Sequence, residues 1–282
     1  MNLQPMYKVL VTGGAGFIGS HLCERLLKTG QRVFCLDNFN SYYSPAVKRQ
    51  NIKPLLANHS FTLFKTNILN KNELSLIFQK NNFDKVIHLA AKAGVRASIQ
   101  NPQGFAETNI MGTLNLLELS RQYKVKNFIL ASSSSVYGNS VKVPFAETDS
   151  VDQPISPYAA TKKSAEVLCY NYHHLYGLNI IVLRFFTVFG PRNRPDMAHW
   201  LITKALFDGE PISKFGNGET KRDYTYVGDV VDGIIACLNK KLGYEIINLG
   251  NSKTIALNKM IGCLEKITGQ KAIIKNRPLQ PG

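Results

Sequence analysis

The sequence predicts an α/β fold: a doubly wound parallel sheet with helices on both faces and a smaller C-terminal substrate-binding part. Three observations carry this. Short continuous apolar runs alternate with segments of helical apolar spacing through the first two thirds of the chain, the mark of strands buried on both faces. A glycine-rich turn joins the first run to the first helical segment. After about residue 187 the pattern loosens into loops and short elements, among them PRNRPDMAHW and KFGNGETKRDYTYVGD.

In chain order, YKVLVTG (Tyr7–Gly13) is the first strand, and FIGSHLCERLLKTG is a helix stopped by Gly30. QRVFCLD is a second strand. FTLFKTN, KVIHLA, NFILASS and IIVLRFF are further buried strands. Between them, ETNIMGTLNLLELSRQ and PYAATKKSAEVLCYNYHHLYG carry apolar residues at helical spacing. Residues 1–186 form the sheet domain. Residues 187–282 form mainly the second part, interleaved with the first. No internal repeat is visible.

Composition narrows the function classes. At 282 residues, 44% hydrophobic and 19% charged, the chain is globular and not disordered. A formal charge of +15 fits a basic surface or an anionic small-molecule ligand. Neither a long basic block nor a nucleic-acid motif accompanies it, so no nucleic acid is expected as partner. No apolar run reaches the roughly 20 residues of a membrane helix and no signal-peptide core is present, so no membrane partner is expected either. The five cysteines (Cys23, Cys35, Cys169, Cys237, Cys263) lack any CxxC spacing, which points to a reduced, cytoplasmic compartment. The six histidines show no metal-binding spacing, and no metal site is expected.

TGGAGFIGS (Thr12–Ser20) follows a strand and opens a helix, the context a glycine fingerprint needs. Gly13 permits the tight turn, Gly16 lets backbone approach a pyrophosphate, and Gly19 allows close helix–strand packing. The helix N-terminus attracts phosphate. Asp37 ends the second strand, about 20 residues on, where a carboxylate accepts from ribose hydroxyls and repels a 2′-phosphate. The domain is therefore Rossmann-type and the cofactor NAD.

NFILASSSSVYG sets a serine cluster just past a buried strand, at the sheet edge where such folds bind ligands. One helix later, SPYAATKKSAE places Tyr158 and Lys162 at i and i+4 on one helix face. That spacing alone is common on helices. Behind a dinucleotide loop and a strand-end serine cluster it reads as an acid/base device: a nearby ammonium and a positive nicotinamide ring lower a phenol's pKa.

TGGAGFIG, LDNFN, HLAA (His88–Ala91), SSSSVYG and YxxxK together resemble the extended short-chain dehydrogenase/reductase superfamily over nearly the whole chain. The resemblance implies Ser133 as the catalytic hydroxyl, with Ser132 and Ser134 as close alternatives. It implies Tyr158 as the base, and Lys162 as ribose-binding and lowering the Tyr158 pKa. Cofactor contacts are implied for Gly13, Gly16, Phe17, Ile18, Gly19, Asp37, Asn38, Asn67, Ile68, Leu89, Ala90, Ala91, Lys92, Asn109, Tyr158 and Lys162. It also implies a homodimer, paired through the helices near residues 106–122 and 158–176.

Within that superfamily, AGVRASIQNP (Ala93–Pro102), RFFTVFGPRNRPDMA (Arg184–Ala198) and KRDYTYVGD (Lys221–Asp229) resemble UDP-glucuronate 4-epimerases. The implied reaction is NAD-dependent epimerisation at C4 of a UDP-sugar, UDP-glucuronate to UDP-galacturonate, through a 4-keto intermediate. The intermediate is a β-keto acid, and Arg194 is the expected clamp for its carboxylate, with Thr187 adding a hydroxyl. Arg222 is expected on the UDP diphosphate, Arg277 as a second clamp, and Arg96, Ser133 and Ser134 at the sugar. Related dehydratases and decarboxylases carry an acid soon after the catalytic serine or threonine; Ser134 and Ser135 stand there.

Four positions depart from the family pattern: Asn67 for an Asp at the adenine, Lys92 for a Gln, Ala97 for a Tyr, and Gly228 for an Asp. The chain also ends at QPG, where relatives continue, so the substrate part is expected to be C-terminally truncated. Two alternatives stand beside the main reading: a UDP-glucose or UDP-N-acetylhexosamine 4-epimerase, and a non-catalytic NAD-binding scaffold.

Overall fold

The structure, a computed structural model, describes residues 6–278. Its first six strands are the six apolar runs: β1 (Lys8–Thr12), β2 (Arg32–Leu36), β3 (Phe61–Phe64), β4 (Lys85–His88), β5 (Asn127–Ser133) and β6 (Ile180–Phe185). Six more follow: β7 (Thr187–Phe189), β8 (Ile212–Phe215), β9 (Lys221–Tyr226), β10 (Tyr244–Leu249), β11 (Thr254–Ala256) and β12 (Ile274–Arg277).

The main sheet has seven strands in the order β10-β6-β5-β4-β1-β2-β3, and every neighbouring pair is parallel. The chain winds outward from β1 to β3, then crosses back to β4 and winds the other way. The reversal lies between β1 and β4, where such sheets open a crevice beyond their carboxyl ends.

Alternation along each strand feeds two cores, one per face. Val9, Val11, Val33, Cys35, Ile87, Ile129 and Ile181 pack on one side. Leu10, Phe34, Leu36, Val86, Phe128, Leu130 and Val182 pack on the other. Burying each such side chain contributes about 1.5–3 kcal/mol. With both faces dry, the runs carry no polar alternation, which is why they stand out in the sequence.

Residues 187–278 divide between two places. The helix Val227–Cys237 sends Val227, Val230, Val231 and Ile234 into the first core beside Leu22 and Leu26, and β10 closes the main sheet against β6. The remainder forms a three-stranded sheet, β11-β9-β7, and a two-stranded one, β12-β8. Ile202 and Leu206 of the helix Ala198–Asp208 and Met260 and Ile261 of the helix Leu257–Thr268 make a small core with Ile212. No described helix is long and apolar enough to cross a membrane.

Two elements differ from the sequence reading. YEIINL is a main-sheet strand at the sheet edge, half-buried except for the exposed Glu245, and Glu245 and Asn248 break up its apolar run. ETNIMGTLNLLELSRQ is not one regular helix: Glu107–Met111 is a π-helical turn leading into the helix Gly112–Gln122. Such turns re-aim side chains, and Asn109 lies within this one.

The helix Pro157–Tyr176 carries Tyr158 and Lys162. Ser156 caps it by accepting from Ala159 N at 3.1 Å, Pro157 sits at its first position, and Gly177 ends it at φ +67°. What seats it is a buried ion pair. Arg184 of β6 donates through Nε (3.0 Å) and Nη2 (2.8 Å) to the two carboxylate oxygens of Glu166. Both side chains are nearly inaccessible, at 1% and 2%. Ser132 Oγ donates to Glu166 Oε1 at 2.5 Å, and Arg184 Nη1 donates to the Tyr137 hydroxyl at 2.9 Å.

Arg184→Met should therefore leave Glu166 charged and unpaired, costing about 3–5 kcal/mol in urea denaturation. Adding Glu166→Leu should recover part of that loss, because the desolvation cost of the pair disappears with it.

Candidate active site

A cavity of about 250 Å³ runs along the carboxyl edge of the main sheet. The glycine loop, the ends of β2 and β4, the helix bearing Tyr158 and the loop bearing Arg194 line it. Fifteen of the sixteen residues expected at the cofactor are in its wall: Gly13, Gly16, Phe17, Ile18, Gly19, Asp37, Asn38, Asn67, Ile68, Leu89, Ala90, Ala91, Lys92, Tyr158 and Lys162.

Gly13 and Gly19 have no room for a side chain. Gly13 has φ +71°, and a Cβ there would meet Ala90 N at 2.8 Å. A Cβ on Gly19 would lie 2.2 Å from Gly13 O. Gly13 N donates to Leu36 O at 2.7 Å, tying the turn to β2. Gly16 caps the helix Phe17–Lys28, which has no acidic residue in its first turn to offset the positive end of the helix dipole.

Asp37 lies at one end of the cavity. Its carboxylate accepts from Phe39 N (2.8 Å) and Ala15 N (3.3 Å) and pairs with Lys48 Nζ at 3.5 Å. Asn67 Oδ1 accepts from Leu69 N at 3.0 Å, an Asx turn that holds the loop after β3. Asn109 is the one expected cofactor residue outside the wall. It is buried behind Lys92: its Oδ1 accepts from Lys92 N (2.8 Å), and its Nδ2 donates to Lys92 O (2.9 Å) and Thr161 Oγ1 (3.0 Å). The π-helical turn aims it there, so it shapes the wall from outside.

Tyr158 and Lys162 lie at the other end. Burial pushes the Tyr158 phenol above its ordinary value, while hydrogen bonding with Ser133 and the Arg194 charge pull it back. Arg194 is thus a cation acting on the phenol that the sequence reading did not place there. Lys162 Nζ donates to Ala131 O at 2.8 Å, towards β5. Burial lowers Lys162 to about 8, opposed by the Glu166 carboxylate one turn on.

Among the serines, Ser132 is committed to Glu166. Ser133 Oγ donates to Ser135 Oγ at 3.1 Å and accepts from Ser135 N at 3.1 Å. Ser134 begins a short 3₁₀ turn, Ser134–Tyr137.

Of the residues expected at the substrate, only Arg194 lines this cavity. Ser133 and Ser134 follow Ser132, which lines it, but are not in its wall. Thr187 opens β7. Arg96 stacks its guanidinium 5.1 Å from the centre of the Phe215 ring, and Phe215 is the register partner of Arg277 in the β8–β12 pair. Arg222, exposed on β9, donates to Lys221 O at 3.2 Å.

The sequence reading missed Lys48, Tyr42, Tyr43 and Asp196. Lys48 follows Asp37 by eleven residues across an irregular turn, a spacing no motif records. Tyr43 lines the cavity with its phenol pushed up to about 12 by burial and the Asp37 charge. Asp196 was visible in RPDM, but its pairing with Arg194 was not.

His88 braces the reversal point. Its Nδ1 lies 2.8 Å from Thr12 Oγ1 of β1, and its Nε2 lies 3.0 Å from Thr113 Oγ1. Burial, aided by the Lys162 charge, pushes it down to about 3, so the ring is neutral.

A sequence model of the NAD dependent epimerase/dehydratase family matches residues 9–250. A UDP-glucuronate 4-epimerase of Thermodesulfobacterium geofontis is 49% identical over 264 residues, 93% of this chain and 81% of that one. The crystal structure of a Bacillus cereus UDP-glucuronic acid 4-epimerase with UDP-glucuronic acid and NAD superimposes with TM-score 0.92 at 40% identity, covering 98% and 87% of the two chains. A Thermotoga maritima UDP-glucose 4-epimerase with UDP-glucose gives TM-score 0.89 at 36% identity, covering 98% and 87%.

His88 gives a pH prediction. Its folded value is far below the ordinary 6.5, so as pH falls below about 6.5 the unfolded chain takes a proton that the folded chain refuses. Stability should drop by up to about 1.4 kcal/mol per pH unit on this account. In urea denaturation between about pH 6.5 and 5, His88→Gln should flatten the pH slope by that amount, whatever its effect on stability at neutral pH.

Proposed function

The chain belongs to the NAD dependent epimerase/dehydratase family, and on that premise we propose that it is a UDP-sugar 4-epimerase interconverting UDP-glucuronate and UDP-galacturonate. The observation that carries the reading is one cavity lined by a dinucleotide loop, a Tyr158–Lys162 pair and a guanidinium, Arg194. The relatives of both kinds, by sequence and by structure, support it.

NAD fits the residues present. The Gly13–Gly19 turn, whose tight packing leaves no room for a Cβ at Gly13 or Gly19, takes the pyrophosphate against the helix N-terminus. Asp37 takes the adenosine ribose, and Asn67 and Ile68 border the adenine. Lys162 takes the nicotinamide ribose. When bound, NAD supplies a reversible acceptor for the C4 hydride and a ring charge that favours the tyrosinate.

The chain's residues do the rest. Tyr158 accepts the proton of the 4-hydroxyl and later returns it to the inverted sugar. Ser133 holds the same oxygen by a hydrogen bond. Arg194 grips the C5 carboxylate through paired N–H donors, with Thr187 adding a hydroxyl. Arg222 and Arg277 neutralise the UDP diphosphate, and Arg96 borders the sugar. Ser134 and Ser135 offer no carboxyl for elimination chemistry.

A second reading, UDP-glucose or UDP-N-acetylhexosamine as substrate, is favoured by one observation: Asp196 already neutralises Arg194, so a sugar without a carboxylate meets no unpaired charge. We place the protein in the cytoplasm, in keeping with five unpaired cysteines, and as a homodimer. The dimer reading rests on Met111, Val167 and Tyr170, large apolar side chains exposed along the two helices expected to pair.

Proton NMR of purified protein with NAD and UDP-glucuronate tests the proposal. UDP-galacturonate should accumulate to an equilibrium ratio, and Tyr158→Phe should lose about 10²–10⁴ of the rate. A UDP-pentose as main product would make the enzyme a decarboxylase. Turnover of UDP-glucose alone would establish the second reading.

A further inference from the structure

We propose that Asp196 and Tyr42 are positioning residues that fix the plane of the Arg194 guanidinium and so determine whether the sugar carboxylate is retained or lost as CO2. The proposal rests on the reading of UDP-glucuronate as substrate.

The geometry is a relay across two loops. Arg194 donates through Nε to Asp196 Oδ1 (3.0 Å) and through Nη2 to Oδ2 (2.7 Å). The Tyr42 hydroxyl, on the loop after β2, donates to the same Oδ2 at 3.1 Å. The Arg194 guanidinium carbon stands 5.8 Å from the centre of the Tyr42 ring. The side-on edge of the guanidinium is therefore committed to Asp196. Its end-on edge, one hydrogen on Nη1 and the second on Nη2, has no hydrogen-bond partner among the described residues. Arg194 lines the cavity with Tyr158 and acts electrostatically on its phenol. One planar edge is thus held in reserve for a second carboxylate, next to the base.

The loop cannot swing freely. Its start is fastened to the helix Phe17–Lys28: His21 Nε2 lies 2.8 Å from Pro191 O, and Arg192, at φ +62°, donates to Glu24 at 2.8 Å and Ser20 at 3.4 Å. Its other end is fastened through Asp196 to Tyr42. Both anchors belong to the dinucleotide side of the crevice.

Attraction alone would not protect the intermediate. In a 4-keto uronate the bond from C5 to the carboxylate can break. CO2 then leaves, the electron pair enters the C4 carbonyl as an enolate, and C5 takes a proton from water, leaving a UDP-4-ketopentose. Breaking needs that bond aligned with the carbonyl π system. A guanidinium fixed in place and plane holds the carboxylate carbon close to the carbonyl plane through two parallel hydrogen bonds, so the C5–carboxylate bond stays out of line with the π system, whereas a loose one binds the carboxylate without holding that bond.

The opposite account is that Asp196 merely competes with the substrate for Arg194. The two accounts predict different outcomes. NAD-loaded protein is given UDP-glucuronate, and UDP-galacturonate and released CO2 are quantified. Calorimetry measures binding of UDP-glucuronate, UDP-glucose and UDP. If positioning holds, Asp196→Asn raises the CO2-to-epimer ratio at least about tenfold, the scale of small misplacements in active sites. Tyr42→Phe, which removes a single oxygen, raises it less, and UDP affinity stays unchanged in both. Asp196→Glu returns the ratio part of the way. An unchanged ratio in Asp196→Asn, or tighter UDP-glucuronate binding at an unchanged ratio, overturns the proposal and makes Asp196 a competitor. If Arg194→Ala and the unaltered chain bind UDP-glucuronate and UDP-glucose alike, the carboxylate reading fails as well, an outcome the Asp196 result alone cannot mimic.

Discussion

The buried pair of Arg184 and Glu166 is the constraint on which the site depends. Glu166 lies one helical turn beyond Lys162 and two beyond Tyr158, and Arg184 lies on β6. Ser132, next to Ser133 on β5, binds the same carboxylate. One carboxylate therefore fixes the helix against two strands, and the relation of hydroxyl, phenol and ammonium follows from it. The pair is no cheap source of stability, since desolvating two charges offsets most of their attraction. What it supplies is register: with full hydrogen bonding on both partners, no slid or rotated helix satisfies the carboxylate.

The same burial sets the chemistry. It raises the Tyr158 phenol and lowers the Lys162 ammonium, so the cavity disfavours charge on both. The protein alone thus holds Tyr158 as a neutral phenol at neutral pH, and a positively charged ring arriving beside it supplies what the wall withholds. On the proposed reading, base strength becomes a consequence of cofactor binding, and catalysis is confined to the loaded site. Arg194 extends this logic, because its charge reaches the phenol while its hydrogen bonds belong to Asp196.

Much of this was legible in the sequence, for physical reasons. Strands buried on both faces must be apolar throughout, so β1 to β6 appear as unbroken runs. The turn before the first helix must lack Cβ atoms at Gly13 and Gly19, so the glycines appear in register. Tyr158 and Lys162 share a helix face by arithmetic. The rest depends on contacts between distant segments, which no local pattern encodes. Lys48 meets Asp37, Tyr42 meets Asp196, and Asn109 is turned away from the cavity by a π-helical turn that its apolar spacing does not betray. Strand β10 escaped because an edge strand tolerates polar residues, here Glu245 and Asn248, within its apolar run.

The central claim is that the configuration at C4 is inverted by removing and returning the same hydrogen, with Tyr158 handling only the hydroxyl proton. The direct measurement is product analysis after turnover of UDP-glucuronate carrying deuterium at C4, in ordinary water. The account predicts UDP-galacturonate with the deuterium still on C4 and no solvent hydrogen at that carbon. Loss of the label to water would show that C4 is deprotonated as an acid, and would contradict the account.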